Sequence, residues 1–317
     1  MEHMIILWTV VFVVSLLLLV KGANWLIASS EKIGLSIGLS PFIVGVTIVG
    51  IGTSFPELIS SLFAVINGAI DVPVANAVGS NIANILLIVG ISAVIGRSLS
   101  VSKNLIDLDL PLVAGSTALF LGIAYDGVIT FGESVLLMIG FVVYFLYTIF
   151  YKETKLAEEK EGPVLVKPKI KTKDILLLVL GIVGLIIGAK YLIESLVNLS
   201  TILNVATGVI AITAVAIGTS LPELLVSGKA ALQGKSEVAL GNIFGSNVFN
   251  ILIVVGLPGL FGNLTIDEKT LSIGIPTLLV ATLLFIISGI SKKIHNWEGM
   301  FFLMVYALFI AKLFNWF

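Results

Sequence analysis

The 317-residue chain has no cysteine and only two histidines, His3 and His295. That excludes disulfides, thiolate metal sites, thioether-linked haem and a cysteine nucleophile. Charge is also scarce: 12% of residues are charged against 58% hydrophobic, and the formal net charge is −1. Ordinary soluble domains carry about one quarter charged residues. Without a basic surface the chain offers no electrostatic footprint for nucleic acid. What it has in abundance is apolar length.

Apolar stretches of roughly 20 residues can each cross a hydrocarbon core of about 30 Å. Such stretches fall at 4–28, 41–68, 72–95, 108–125, 131–151, 174–196, 206–231, 237–261, 271–290 and 298–316. They predict an all-α polytopic membrane protein with ten transmembrane helices, its obvious partner the lipid bilayer. The first run lacks a basic leader and a small-residue cleavage site, so it is expected to be a retained span. The long polar interruption from Lys152 to Lys173 holds seven lysines, four glutamates, Pro163 and Pro168. It divides the spans five and five, giving an expected first repeat at 1–151, a lysine-rich linker at 152–173 and a second repeat at 174–317. If that linker is cytoplasmic, Lys32, Arg97, Lys103, Lys229, Lys235, Lys292 and Lys293 fall on the same side and both termini lie outside. The cell membrane is the expected location.

An internal repeat organises the chain more sharply than hydropathy does. Ile51-Gly-Thr-Ser-Phe-Pro-Glu-Leu58 recurs 166 residues later as Ile217-Gly-Thr-Ser-Leu-Pro-Glu-Leu224. The same register lays Gly79-Ser-Asn-Ile-Ala-Asn-Ile-Leu86 on Gly245-Ser-Asn-Val-Phe-Asn-Ile-Leu252, and Gly22 on Gly188. Five spans per copy is an odd number, so the second copy enters the membrane from the opposite face. Inverted repeats of this kind are a transporter architecture, with the site at the repeat interface near the midplane.

Glu57 and Glu223 occupy equivalent places in the middle of their spans, where an ionisable group costs about 2.5–3.5 kcal/mol. Such a cost points to function, although a lone carboxylate can also serve helix packing. Pro56 and Pro222 remove an amide donor beside each acid, so the helix is expected to unwind and free nearby carbonyls, those of Gly50, Thr53, Ala216 and Thr219 being candidates. A plain proline kink is the alternative. Thr53 and Glu57 lie one turn apart, as do Ser80 and Asn84 on the next helix; Thr219, Glu223, Ser246 and Asn250 repeat the pattern. Side chains such as these can simply tie helix to helix, but in paired copies beside the glutamates they read as ligands. All are hard oxygen donors. Ca²⁺ takes about six to eight such oxygens in flexible geometry, which suits the set better than Mg²⁺ does, and Na⁺ can use the same atoms. Two ionised glutamates balance one Ca²⁺ or two or more Na⁺, so the cations should compete.

The paired Gly-Thr-Ser-x-Pro-Glu and Gly-Ser-Asn-x-x-Asn segments closely resemble the two α-repeats of the sodium/calcium exchanger family, within the cation/calcium exchanger superfamily. The resemblance implies ten helices in an inverted-repeat bundle and a secondary antiporter exchanging Ca²⁺ for Na⁺ by alternating access, with the first two helices of each half sliding. By motif position it implies Glu57 and Glu223 as ligands of both ions, assisted by the carbonyls of Thr53 and Thr219. It assigns Ser80 and Ser246, with the carbonyls of Gly50 and Ala216, to flanking Na⁺ sites, and Asn84 and Asn250 to the central diamond. Ca²⁺ and Na⁺ are then the cargo; no tightly bound cofactor and no obligatory protein partner is expected. Some relatives, including potassium-dependent exchangers, have aspartate where Asn250 stands, which argues against K⁺ co-transport here and leaves the site one charge less negative.

Three other readings compete. A proton/calcium exchanger would use the same glutamates, protonated in an apolar cavity, but that branch of the superfamily usually shows Gly-Asn-x-x-Glu around its acids. An intramembrane hydrolase would need a base beside Ser54, Ser80, Ser220 or Ser246, and neither histidine lies in these motifs. A channel needs weak, multiple sites rather than a carboxylate pair that holds divalent ions hard.

Overall fold

The computed structural model describes residues 2–39, 41–100, 109–148, 169–202 and 220–316. Most of the expected linker, together with Lys103, Ala216 and Thr219, lies outside the described residues. Ten helices run through the rest: α1 Glu2–Ile37, α2 Pro41–Ile66, α3 Val72–Ile95, α4 Leu110–Ile123, α5 Phe131–Leu146, α6 Thr172–Ile202, α7 Leu221–Leu232, α8 Ser236–Gly259, α9 Thr270–Ile290 and α10 Asn296–Leu313.

The first helix of each half overruns its expected end. α1 continues past Ala28 to Ile37 and stops where Gly38 takes a φ of 93°; α6 continues past 196 to Ile202. The apolar pattern marks only the part that lipid covers, whereas backbone hydrogen bonding carries the helix on through Ser29, Ser30, Glu31 and Lys32. These two helices pack along each other at a small-residue contact. A Cβ added at Gly22 would approach the Gly181 carbonyl oxygen to 2.9 Å, and one at Gly188 would lie 2.8 Å from the Leu19 side chain. In lipid, where no hydrophobic drive separates helix from tail, such close backbone approach is what holds helices together. Most of the remaining α1 surface is exposed and apolar, with Val10, Val13, Val14 and Leu17 turned outward.

α8 is buried throughout 238–256, and α2 and α3 over most of their lengths. Together with α7 these helices form the centre of the bundle. α2 and α8 meet almost backbone to backbone: a Cβ at Gly245 would fall 2.1 Å from the Val46 carbonyl oxygen, and one at Gly50 would lie 3.1 Å from the Ser246 amide nitrogen. That contact brings a hydroxyl of the second half against the backbone of the first.

Two short antiparallel ladders join the halves. β1 (Ser98–Ser100), after the third helix, pairs with β4 (Lys293–His295), after the ninth. β2 (Val128–Ile129), after the fourth, pairs with β3 (Leu264–Thr265), after the eighth. One ladder therefore closes each end of the bundle. In the 166-residue register Leu99↔Ile294 maps onto Thr265↔Val128, and Ser98↔His295 onto Leu264↔Ile129. Each ladder is the image of the other with ends exchanged, which is the inversion expected from five spans per copy. At the β1–β4 end Lys32 pairs with Asp174 at 2.6 Å and Lys235 with Glu31, tying the end of α1 to the starts of α6 and α8.

Candidate functional site

The second helix of the first half is built in segments. Pro41–Val44 leads into a π-helical stretch, Gly45–Val49, then one turn, Gly50–Thr53. The chain bends at Ser54 (φ −88°, ψ 5°) and a new helix starts, Phe55–Ile66, with Pro56 in its first turn. The expected unwinding is thus a break, with proline starting a new segment rather than only kinking an old one; Pro56 has no N–H to give the Gly52 carbonyl. The second half repeats the start: Ser220 has φ −87° and ψ 9°, Leu221–Leu232 follows, and Pro222 sits in its first turn. Glu57 and Glu223 therefore both stand in the first turn of a segment, where the unpaired N–H groups and the helix dipole favour a negative charge.

Both carboxyls are completely buried, at 0% exposure, in a protein whose other acids mostly reach solvent. Ser54 Oγ donates to Glu223 Oε1 at 2.9 Å, so the first half reaches directly to the acid of the second. Glu57 Oε1 and Oε2 and Glu223 Oε2 receive no hydrogen bond, nor do Asn84 Oδ1, Asn250 Oδ1 and Ser220 Oγ, all buried. Buried polar atoms in native proteins are rarely left so, and an uncompensated buried carboxylate is costlier still. Unmet acceptors from both halves are what a dehydrated cation would satisfy. Among the described residues no group of three or more His, Cys, Asp or Glu occurs, so the charge available here is that of the two glutamates.

The asparagines lie where a π turn reshapes the helix. Asn84 falls within the π-helical run Ala83–Val89 of α3, and Asn250 begins the run Asn250–Val254 of α8. π turns gather at functional sites because they displace side chains and carbonyls from the regular ladder. Ser246 Oγ donates to the Gly50 carbonyl at 3.3 Å, so two of the atoms expected in the flanking sites lie together, one from each half. Thr53 Oγ1 turns toward α8 and donates to Asn242 Oδ1 at 3.0 Å; the bend at Ser54 interrupts the helical face it was expected to share with Glu57. Ser80 is buried on α3, one turn before Asn84. Ala216 and Thr219 lie outside the described residues.

Four asparagines escaped the reading of the motifs as ligands. Asn76 Nδ2 donates to the Glu57 carbonyl at 3.2 Å and to Ser61 Oγ at 3.1 Å. Its counterpart Asn242 donates to the Glu223 carbonyl at 3.5 Å and to Ser227 Oγ at 2.8 Å. These paired bonds hold each glutamate's turn against the neighbouring helix of its own half. Asn81 and Asn247 bridge the halves instead: Asn81 Nδ2 donates to the Asn247 carbonyl at 2.9 Å. All four obey the 166-residue register, as do Ser54 and Ser220, and that register is the signal that could have found them.

Comparison with known proteins agrees with this geometry. The family model for sodium/calcium exchanger proteins matches residues 7–150 and again residues 173–315. Sodium/calcium exchanger MaX1 of Methanosarcina acetivorans is 34% identical, over 96% of this chain and 97% of its own length. Inner membrane protein YrbG of Escherichia coli is 32% identical over 88% of both chains. The solved structure of the sodium-calcium exchanger NCX_Mj soaked without Na⁺ and Ca²⁺ superposes with a TM-score of 0.81 at 31% identity, covering 98% of this chain and 99% of that one.

Proposed function

Because the chain belongs to the sodium/calcium exchanger protein family, we propose that it exchanges Ca²⁺ for Na⁺ by alternating access at a shared mid-membrane site built on Glu57 and Glu223. It is an integral membrane transporter and not an enzyme. The observation that carries the site is the pair of fully buried carboxylates, one from each inverted half, with three of their four oxygens lacking any protein donor. Asn84 and Asn250 add neutral oxygens to this centre. Ser80 and Ser246, with the carbonyls of Gly50, Thr53, Ala216 and Thr219, form the flanking places for Na⁺. One Ca²⁺ cancels the two negative charges, as do two or more Na⁺, so each excludes the other. Without a cation the buried charge resists the conformational change, which couples the fluxes.

The repeats run 1–151 and 174–317, joined by a cytoplasmic linker at 152–173, with both termini outside the cell membrane. The clustering of Lys32, Lys235, Lys292, Lys293 and Arg97 at the β1–β4 end supports that orientation. Ca²⁺ uptake into proteoliposomes under outward Na⁺, K⁺ or H⁺ gradients tests the coupling. Uptake driven by Na⁺ alone is expected; uptake that follows the pH gradient and ignores Na⁺ would move the reading to a proton/calcium exchanger.

A further inference from the structure

Asn84 and Asn250 can serve a cation only if their amides are turned oxygen inward, because the NH₂ end of the same group repels it. Nothing about an asparagine side chain fixes that choice, and a half-turn about its last bond exchanges the two ends. The surrounding bonds make the choice here. The backbone carbonyl of Asn247 can only accept, so Asn81, bonded to it at 2.9 Å, must present its nitrogen there. Asn81 Oδ1 then faces Asn250, and it receives Asn250 Nδ2 at 3.1 Å. Asn250 Oδ1 is left turned away, buried and without a protein donor. Asn84 Nδ2 donates to Asn247 Oδ1 at 3.1 Å while its own oxygen goes unpartnered; Asn247 Nδ2 has no partner of its own, so this side is held by one bond where the other is held by two. All four side chains are at most 1% exposed.

We propose that Asn81 and Asn247 are positioning residues of the transport site, crossed between the halves: Asn81 of the first orients Asn250 of the second, and Asn247 of the second orients Asn84 of the first. The proposal rests on Asn84 and Asn250 being cation ligands. It also gives a specificity rule. Aspartate at position 250 has two equivalent oxygens and no N–H, so it needs no orienting partner. Asparagine there depends on Asn81.

The test is a cycle in purified, full-length protein, reading half-saturating Ca²⁺ from direct binding and from Na⁺-driven uptake. Asn81→Leu should raise half-saturating Ca²⁺ about tenfold when Asn250 is present and change it less than twofold in an Asn250→Asp background. Asn247→Leu against Asn84→Asp should behave alike in the other half and provides an independent pair if one variant folds poorly. Equal losses in both backgrounds, or no loss with Asn250 present, would overturn the orienting role. Glu57→Gln serves as the control on the site itself. If it retains native Ca²⁺ binding, the site assignment has failed; if it loses binding while Asn81→Leu does not, only the orienting role has failed.

Discussion

Ser54 reaches across from the first half and donates its hydroxyl to Glu223 Oε1 at 2.9 Å. A single hydroxyl bond to a charged group is worth about 1.5–3 kcal/mol, but the freed oxygen can turn to a bound cation instead. Ser54→Ala should therefore shift half-saturating Ca²⁺ by less than about tenfold in uptake assays. Glu223→Gln, which removes half of the site's charge, should abolish exchange over the same concentration range. The ligand-type residues were legible because the chain carries them twice. Glu57, Asn84 and Ser80 each stand in a motif whose second copy keeps the residue type. Asn81 and Asn247 stand in the same motifs, but spacing gives the face of a helix and not the partner across an interface. Only the packing of α3 against α8 turns a conserved register into the bond from Asn81 to the Asn247 backbone.

Gly245 governs how closely two elements meet. It belongs to the repeated Gly-Ser-Asn motif, yet its structural use is to let α2 lie on α8, with the Val46 carbonyl 2.1 Å from where a Cβ would be. Gly245→Ala should force the helices apart at a cost of about 1–3 kcal/mol, seen as a fall of several degrees in the thermal unfolding midpoint of the purified protein. Gly115→Ala on α4, where nothing lies within 4 Å, should leave that midpoint unchanged or slightly raised. The breaks at Ser54 and Ser220 were legible from Pro56 and Pro222, because a missing N–H has a local consequence. The π turns at Ala83–Val89 and Asn250–Val254 were not, since neither run contains a proline or glycine to mark it. Helix overrun in α1 and α6 was hidden for a similar reason: hydropathy reports lipid cover, and the helical ladder does not stop where lipid does.

The whole molecule is two copies of one unit set head to tail across the bilayer, stapled at each end by a two-stranded ladder that pairs a strand of one copy with a strand of the other. That inversion was readable from an odd span count, whereas the staples were not, being only two or three residues long. It makes a prediction in a chain that has no native cysteine to interfere. His295→Cys and Thr265→Cys, both exposed and on opposite ladders, should react with a membrane-impermeant thiol reagent from opposite faces. Thr265→Cys should be modified in intact cells and His295→Cys only after the membrane is opened. Modification of both from the same face would contradict the inverted arrangement. The central claim, that one glutamate from each half forms a single exchange site, is tested most directly by Ca²⁺ uptake into Na⁺-loaded proteoliposomes with the native chain, Glu57→Gln and Glu223→Gln side by side. The account predicts Na⁺-driven uptake in the native protein and loss of at least about a hundredfold in each variant; uptake near the native rate in either variant would contradict it.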